Sequence, residues 1–151
     1  MKKRQRISDL VGSLSLPAGS RHDPRYLGYF TLFNDGQYYE AHDLLEDLWL
    51  HDKQGPDGAF YKGLIQLAGA FVHLKKHRLR PDHPKDRDRL APASRLFMLA
   101  RRNLLAFAPT HRDLDVSNIC RLCDRLSLAL ANSKFRENPW RPAHPPKIQL
   151  G

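Results

Sequence analysis

The chain contains few cysteines and no long apolar run. Cys120 and Cys123 are its only two cysteines, which excludes a disulfide-stabilised scaffold and favours a reducing, intracellular compartment. No segment approaches the roughly 20 consecutive apolar residues that a membrane-spanning helix requires. These absences predict a cytoplasmic protein that does not enter a membrane.

Strand signals are absent as well, because no run combines two-residue alternation with β-branched residues. Apolar residues instead recur at intervals of three and four, the spacing of one helix face. The helices predicted in this way run from Pro24 to Phe33, from just after Gly36 to His51, from Ala59 to Lys76, from Pro92 to Phe107, and from Asp113 or Asp115 to Asn132. The sequence therefore predicts an all-α bundle of about five helices, mostly antiparallel because their connections are short.

The segments outside these helices differ in composition. Residues 1–23 are basic and lack sustained periodicity, so we expect a flexible arm before a bundle of residues 24–132. Residues 133–151 are rich in proline and are expected to form an extended tail, with Trp140 as an anchor on the core or on a partner. Asp57 is expected to cap the third helix, within which Gly63 and Gly69 would let a neighbouring helix approach closely.

Positive charge predominates, with 25 Lys and Arg against 16 Asp and Glu and a formal net charge of +9. The acidic residues concentrate between positions 35 and 57, and the basic residues between positions 75 and 102. The basic 75–102 region has the composition of a weak nucleic-acid-binding surface. No nucleic-acid-binding motif accompanies it, and Asp82, Asp86 and Asp88 dilute its charge. A solvated face, or one that meets the acidic helix of a second copy, is therefore favoured.

One polar constellation is a candidate site. His42 and Glu46 lie four residues apart, on one side of the second predicted helix. If this helix packs antiparallel to the third, His42 approaches His73, and Glu46 approaches Gly69 or Gln66. Tyr38 and Trp49 would shape a pocket around the cluster of His42, Glu46, Gln66 and His73.

This cluster admits three interpretations. His42, Glu46 and His73 offer the nitrogen and oxygen ligands that zinc and iron accept. The same trio is suited to general acid–base chemistry, including hydrolysis. It is also suited to a hydrogen-bonded network that satisfies polar groups at the edge of the core, which is the interpretation we favour. The chain contains neither a His-Glu-x-x-His nor a Glu-x-x-His motif.

Cys120 and Cys123 form a CxxC pair in the last predicted helix. Redox pairs of this kind normally lie at a helix N-terminus in a strand-rich fold, and no strands are predicted here. A structural zinc site would need further ligands near these cysteines in sequence, and there are none. We therefore predict that Cys123 is a small core residue.

Two blocks of the sequence resemble a family of small helical proteins from bacteria and archaea, the domain of unknown function 309. The segment from Phe33 to Trp49 is similar to its first block, and the segment from Phe60 to His73 is similar to its second. The resemblance implies an all-α bundle with no established activity, substrate or cofactor. The family-matching polar positions are His42, Glu46, Gln66 and His73. The chain departs from the family pattern at Asp43, where glutamate is usual, in its linker 80–90, and in both tails.

Three functional hypotheses follow from these observations. The favoured one is a non-enzymatic module for protein interaction or self-association, forming a homo-oligomer or binding a protein partner. The first alternative is a site for a metal (zinc or iron) or a small ligand, built from His42, Glu46 and His73. The second alternative, which is less favoured, is weak nucleic-acid binding through residues 75–102.

Overall fold

The computed structural model describes residues 2–151, most of which are helical. The helices are α1 (Lys3–Ser13), α2 (Pro24–Asn34), α3 (Tyr38–Asp52), α4 (Gly58–Leu79), α5 (Leu90–Leu104) and α6 (Val116–Asn132), and a short hairpin pairs β1 (Thr110–His111) with β2 (Leu114–Asp115). The predicted helical class is confirmed. We expected about five helices, and the described residues contain six α-helices. We expected no strands, and the described residues contain one hairpin of two strands, each two residues long.

The additional helix is α1, which lies in the segment where we predicted no periodicity. Its apolar residues Ile7, Leu10, Val11 and Leu14 nevertheless follow helical spacing, since they are three or four residues apart. Ile7 is only 4% exposed and belongs to the core cluster, against which the other three are packed. The serine, glycine and charged residues between them obscure this stripe in the sequence.

Local chemistry sets several helix boundaries. The carboxylate of Asp23 accepts a hydrogen bond from the backbone N–H of Arg25 at the start of α2, and Asp115 does the same for Asn118 at the start of α6. Each bond satisfies an N–H that has no partner within its helix. Gly36 follows α2 with a φ of +77°, a conformation that glycine adopts without strain. The stop predicted after Phe33 is therefore confirmed.

Helices α3 and α4 run antiparallel, as the sequence predicts. The rings of Tyr38 at the start of α3 and Phe71 in the second half of α4 lie 5.2 Å apart. At the opposite end, the Lys62 ammonium lies 4.4 Å from the centre of the Trp49 ring. The predicted pairing of the early part of one helix with the late part of the other is thus present.

The close approach predicted at Gly63 is also present, between α4 and α5. A Cβ atom at Gly63 would lie 2.7 Å from Leu104 Cγ and 3.2 Å from the carbonyl oxygen of Ala100. At Gly69 the contact is looser, since a Cβ atom would lie 3.3 Å from a terminal methyl of Leu96. Gly63 is therefore the position that fixes the distance between the two helices.

The C-terminal tail, residues 133–151, has no regular secondary structure and runs back over the bundle. Trp140 is 7% exposed, and its indole N–H donates a hydrogen bond to the hydroxyl of Tyr38 at 3.0 Å. Further along, the side chain of Asn34 exchanges two hydrogen bonds with the backbone of Ile148. Of the two sites expected for Trp140, the core is the one the structure uses. No helix in residues 2–151 is both long and apolar enough to cross a bilayer.

Candidate functional site

The polar face of α3 carries His42, Asp43 and Glu46, which lie beside α1. Arg6 of α1 forms an ion pair with the buried carboxylate of Asp43. Lys3 donates a hydrogen bond to Glu46 at 3.0 Å, and this bond is the main reason that the pKa of Lys3 lies above its ordinary value. The basic helix α1 therefore neutralises carboxylates of α3 within the same molecule.

His42 is half-buried and forms no close hydrogen bond. Its Nε2 lies 3.9 Å from Glu46 Oε2, and its Nδ1 lies 3.8 Å from Asp43 Oδ1. The Nδ1 atom is buried and has no hydrogen-bond partner among the described residues. The imidazole stacks against the ring of Tyr39, with 6.2 Å between centroids. His42 thus lies next to two carboxylates without a bond that fixes its tautomer.

Gln66 and His73 contact different neighbours, on the α5 side of α4. The Gln66 side-chain oxygen accepts a hydrogen bond from Asn103 at 2.7 Å. His73 Nδ1 lies 3.0 Å from the guanidinium of Arg89. Burial and the positive charge of Arg89 lower the pKa of His73, so the imidazole is held neutral as an acceptor. Both side chains are engaged in links between α4 and the start and end of α5.

The predicted metal ligands therefore gain no support from the geometry. Within residues 2–151 there is no group of three or more histidine, cysteine, aspartate and glutamate side chains placed to hold a metal ion. The ring of Trp49 faces the ammonium of Lys62, and Tyr38 is buried beneath the tail. Glu46, Gln66 and His73 each bond to a different neighbour, namely Lys3, Asn103 and Arg89.

We expect the stability of the domain to depend on His73 near neutral pH. Because the pKa of His73 is lowered in the folded state, the unfolded state binds more protons below an ordinary histidine pKa of about 6.5. The resulting stabilisation is complete above that pH and is lost as the pH falls toward the folded-state pKa. In His73→Gln, the unfolding free energy measured by urea denaturation should fall less steeply between pH 7.5 and pH 5.5 than in the parent. Equal slopes would contradict this assignment.

A second polar cluster, which does not follow from the spacing of residues in the sequence, joins the start of α4 to the β-hairpin. Asp57, expected as a helix cap, makes no capping bond. Its carboxylate accepts hydrogen bonds at 2.6 Å from both His111 and Arg112. Burial opposes its ionisation, but these two bonds more than offset that effect, so the pKa of Asp57 lies below its ordinary value. The cluster holds a turn in which Arg112 and Asp113 both have positive φ.

The two cysteines are free thiols and are both buried. Cys123 is 1% exposed, and burial raises the pKa of its thiol to about 12. A thiol with such a pKa is protonated at neutral pH and is a poor nucleophile. The prediction that Cys123 is a core residue is confirmed.

An open apolar groove lies between α5 and α6, at the end of the helical series. Among its lining side chains are Met98, Leu128 and Phe135, which are 60%, 61% and 45% exposed. Its remaining lining residues are small or charged, and Arg101 Nε lies 2.7 Å from Asp124 Oδ1 within it. This groove does not follow from the sequence, because spacing alone does not distinguish an exposed apolar residue on an amphipathic helix from a buried one.

Comparison with known proteins gives one match. The sequence model described as "Domain of unknown function (DUF309)" matches residues 26–81, which cover most of α2, all of α3 and α4, and the two residues that follow α4. Comparisons with curated proteins and with solved structures find no match. His42, Glu46, Gln66 and His73 all lie inside the matched segment. The resemblance seen in the two sequence blocks is therefore confirmed over residues 26–81, which are similar to the DUF309 family.

Proposed function

We propose that this protein is a non-enzymatic interaction module that assembles with a second copy of itself through the α5–α6 groove. The observation that carries the proposal is the concentration of Met98, Leu128 and Phe135 in one groove. Large apolar side chains exposed together on a protein surface are a mark of interaction sites. Burying them against a partner removes apolar area from water and stabilises the complex.

The shape and charge of the groove favour a second copy as the occupant. The lining also includes the small residues Ser94, Ser127 and Ala131, which leave space in the groove for large side chains of a second copy. In a two-fold dimer each patch meets an identical patch. The only two charged side chains in its lining, Arg101 and Asp124, pair with each other within the chain, so the groove itself is neutral and does not repel a second copy.

The test is sedimentation velocity over a wide range of protein concentration, with two matched variants. We expect the parent to dimerise and Leu128→Ser to be monomeric at the same concentrations. The control is Leu79→Ser, which removes an equally large side chain that is 69% exposed but lies outside the groove. This variant should dimerise like the parent. A parent that remains monomeric at every concentration, or a control that dissociates as readily as Leu128→Ser, would refute the proposal.

Salt provides a second readout of the same interface. Each copy carries a formal net charge of +9, so two copies repel each other at low ionic strength. Because apolar contacts carry the interface, added salt should screen this repulsion and tighten the dimer. Weakening of the dimer by salt would instead indicate association through ion pairs.

A further inference from the structure

A basic groove lies on the side of α6 that faces the C-terminal tail, away from the apolar groove. It consists of three adjoining hollows that share lining residues: Arg125 and Pro146 belong to two of them, and Pro139 and Arg141 also belong to two. Its cationic side chains are Arg78, Arg121, Arg125, Arg136, Arg141 and Lys147. Glu137 is the one carboxylate in its lining, so the groove is strongly positive.

Most of these cations are available to a ligand. Arg121, Arg125, Arg136 and Arg141 are exposed, and in the part of the chain that the structure describes none of them forms an ion pair with a carboxylate. Arg78 donates to the backbone carbonyls of the tail, at Asn138 and Trp140, instead of to an acid. Its charge is therefore not neutralised. Of this set, only Arg78 belongs to the 75–102 region that the sequence singles out.

In the 75–102 region many of the cations are already engaged. Arg89 pairs with the buried Asp86, and Arg101 pairs with Asp124. Lys75 donates to the backbone carbonyl of Gly36. Part of the positive charge along this stretch of the sequence is therefore engaged within the molecule, whereas the exposed arginines of α6 and the tail are not.

We propose that the basic groove binds a nucleic-acid strand through its phosphate backbone. An elongated polyanion fits the dimensions: from Arg121 to the end of α6 at Asn132, a rise of 1.5 Å per residue gives about 16 Å, and Arg136 extends the groove further. Arginine is suited to phosphate because its planar fork donates two parallel hydrogen bonds. A single phosphate would engage only a fraction of these side chains.

The lining argues against the other polyanionic surfaces. Peripheral binding to a membrane uses apolar anchors beside the positive charge, and none of the exposed large hydrophobic residues in the described chain lines this groove.

The groove offers no tryptophan on which bases could stack, because Trp140, the one tryptophan in its lining, is buried and hydrogen-bonded to Tyr38. Phosphate contacts without base contacts give binding that is independent of sequence.

The experiment measures binding of a fluorescein-labelled oligothymidylate to the full chain by fluorescence anisotropy. Between about 50 and 200 mM salt, log K should fall linearly with log salt concentration, with a slope of about −0.7 for each phosphate contacted on a single strand. In the double variant Arg121→Glu with Arg125→Glu, affinity at the lower salt should fall by about tenfold or more, and loss of two contacts should reduce the slope by about 1.4.

The matched control is Arg95→Glu with Arg102→Glu, which makes the same change in net charge on exposed positions of α5. It should lose no more than about threefold, because only long-range attraction is weakened. Equal losses in both variants, or no binding by the parent at low salt, would overturn the proposal. Displacement of the oligothymidylate by polyglutamate of equal charge at equal concentration would do so as well, in favour of an acidic protein ligand. Circular dichroism shows whether each variant is folded. The milder double variant Arg121→Gln with Arg125→Gln gives a second check that a loss of oligothymidylate affinity does not come from misfolding.

Discussion

Trp140→Ala should lower the unfolding free energy by about 3–5 kcal/mol, the range found when a large buried aromatic side chain is truncated. Trp140 is 7% exposed and packs edge-on against Tyr38, with 6.2 Å between ring centroids. Truncation removes this packing and the indole hydrogen bond to the Tyr38 hydroxyl. Because the tail has few other buried side chains, we also expect its backbone to open, and amide exchange at Ile148 to accelerate.

Chemical denaturation and hydrogen exchange of the full chain measure the two effects. Trp140→Phe is the matched control, since it keeps most of the apolar area and loses the indole hydrogen bond, which contributes about 1 kcal/mol. It should leave exchange at Ile148 close to that of the parent. A loss below about 1 kcal/mol in Trp140→Ala would mean that the tail is not anchored by this residue. Arg141 and Lys147 lie on the tail, so its release should also weaken oligothymidylate binding.

Helical periodicity was a reliable guide wherever a helix buries a continuous apolar stripe. The stripe of Phe60, Leu64, Leu67, Phe71 and Leu74 is fully buried in α4, and both the existence of this helix and its antiparallel packing on α3 followed from the sequence. Helix α1 was missed because it buries only Ile7 completely. Its other apolar residues, Leu10, Val11 and Leu14, are only partly buried, and the serine, glycine and charged residues between them weaken the helical periodicity.

The candidate site illustrates the same limit. Spacing placed His42 and Glu46 on one side of α3 correctly, and the antiparallel pairing with α4 was correct. Spacing could not predict that Gln66 contacts Asn103, or that His73 contacts Arg89, on the α5 side of α4. A polar side chain at the edge of an apolar stripe can face either of the two helices that flank its own. The angular position of the side chain around the helix axis decides between them, and the apolar stripe does not define that angle finely enough.

The internal pairing of charges connects the fold to both proposals. Carboxylates of α3 are neutralised by α1 and by Arg25 of α2, since Arg6 pairs with Asp43, Lys3 with Glu46, and Arg25 with Asp47. The acidic helix that the sequence offered as a partner surface is therefore largely satisfied within the molecule. On α6 and the tail, Arg121, Arg125, Arg136 and Arg141 are exposed and pair with no carboxylate among the described residues. That distribution favours an apolar interface between copies and a separate surface for polyanions.

Phe71→Ala should also cost about 3–5 kcal/mol of unfolding free energy, since the cost of truncating a buried phenylalanine includes the cavity left behind. Phe71 is 1% exposed, and its ring lies 5.2 Å from Phe33, 5.2 Å from Tyr38 and 5.3 Å from Phe97. These rings come from α2, α3 and α5, so their common contact with α4 is lost in one substitution. Urea denaturation measures the loss, and Phe71→Leu, which keeps most of the volume, should cost less than about 1.5 kcal/mol.

Similar costs for the two variants would mean that the surrounding helices close over the cavity. Because Phe71 contacts rings from three other helices at once, all three would have to move together to fill the cavity, and we therefore expect the two variants to differ.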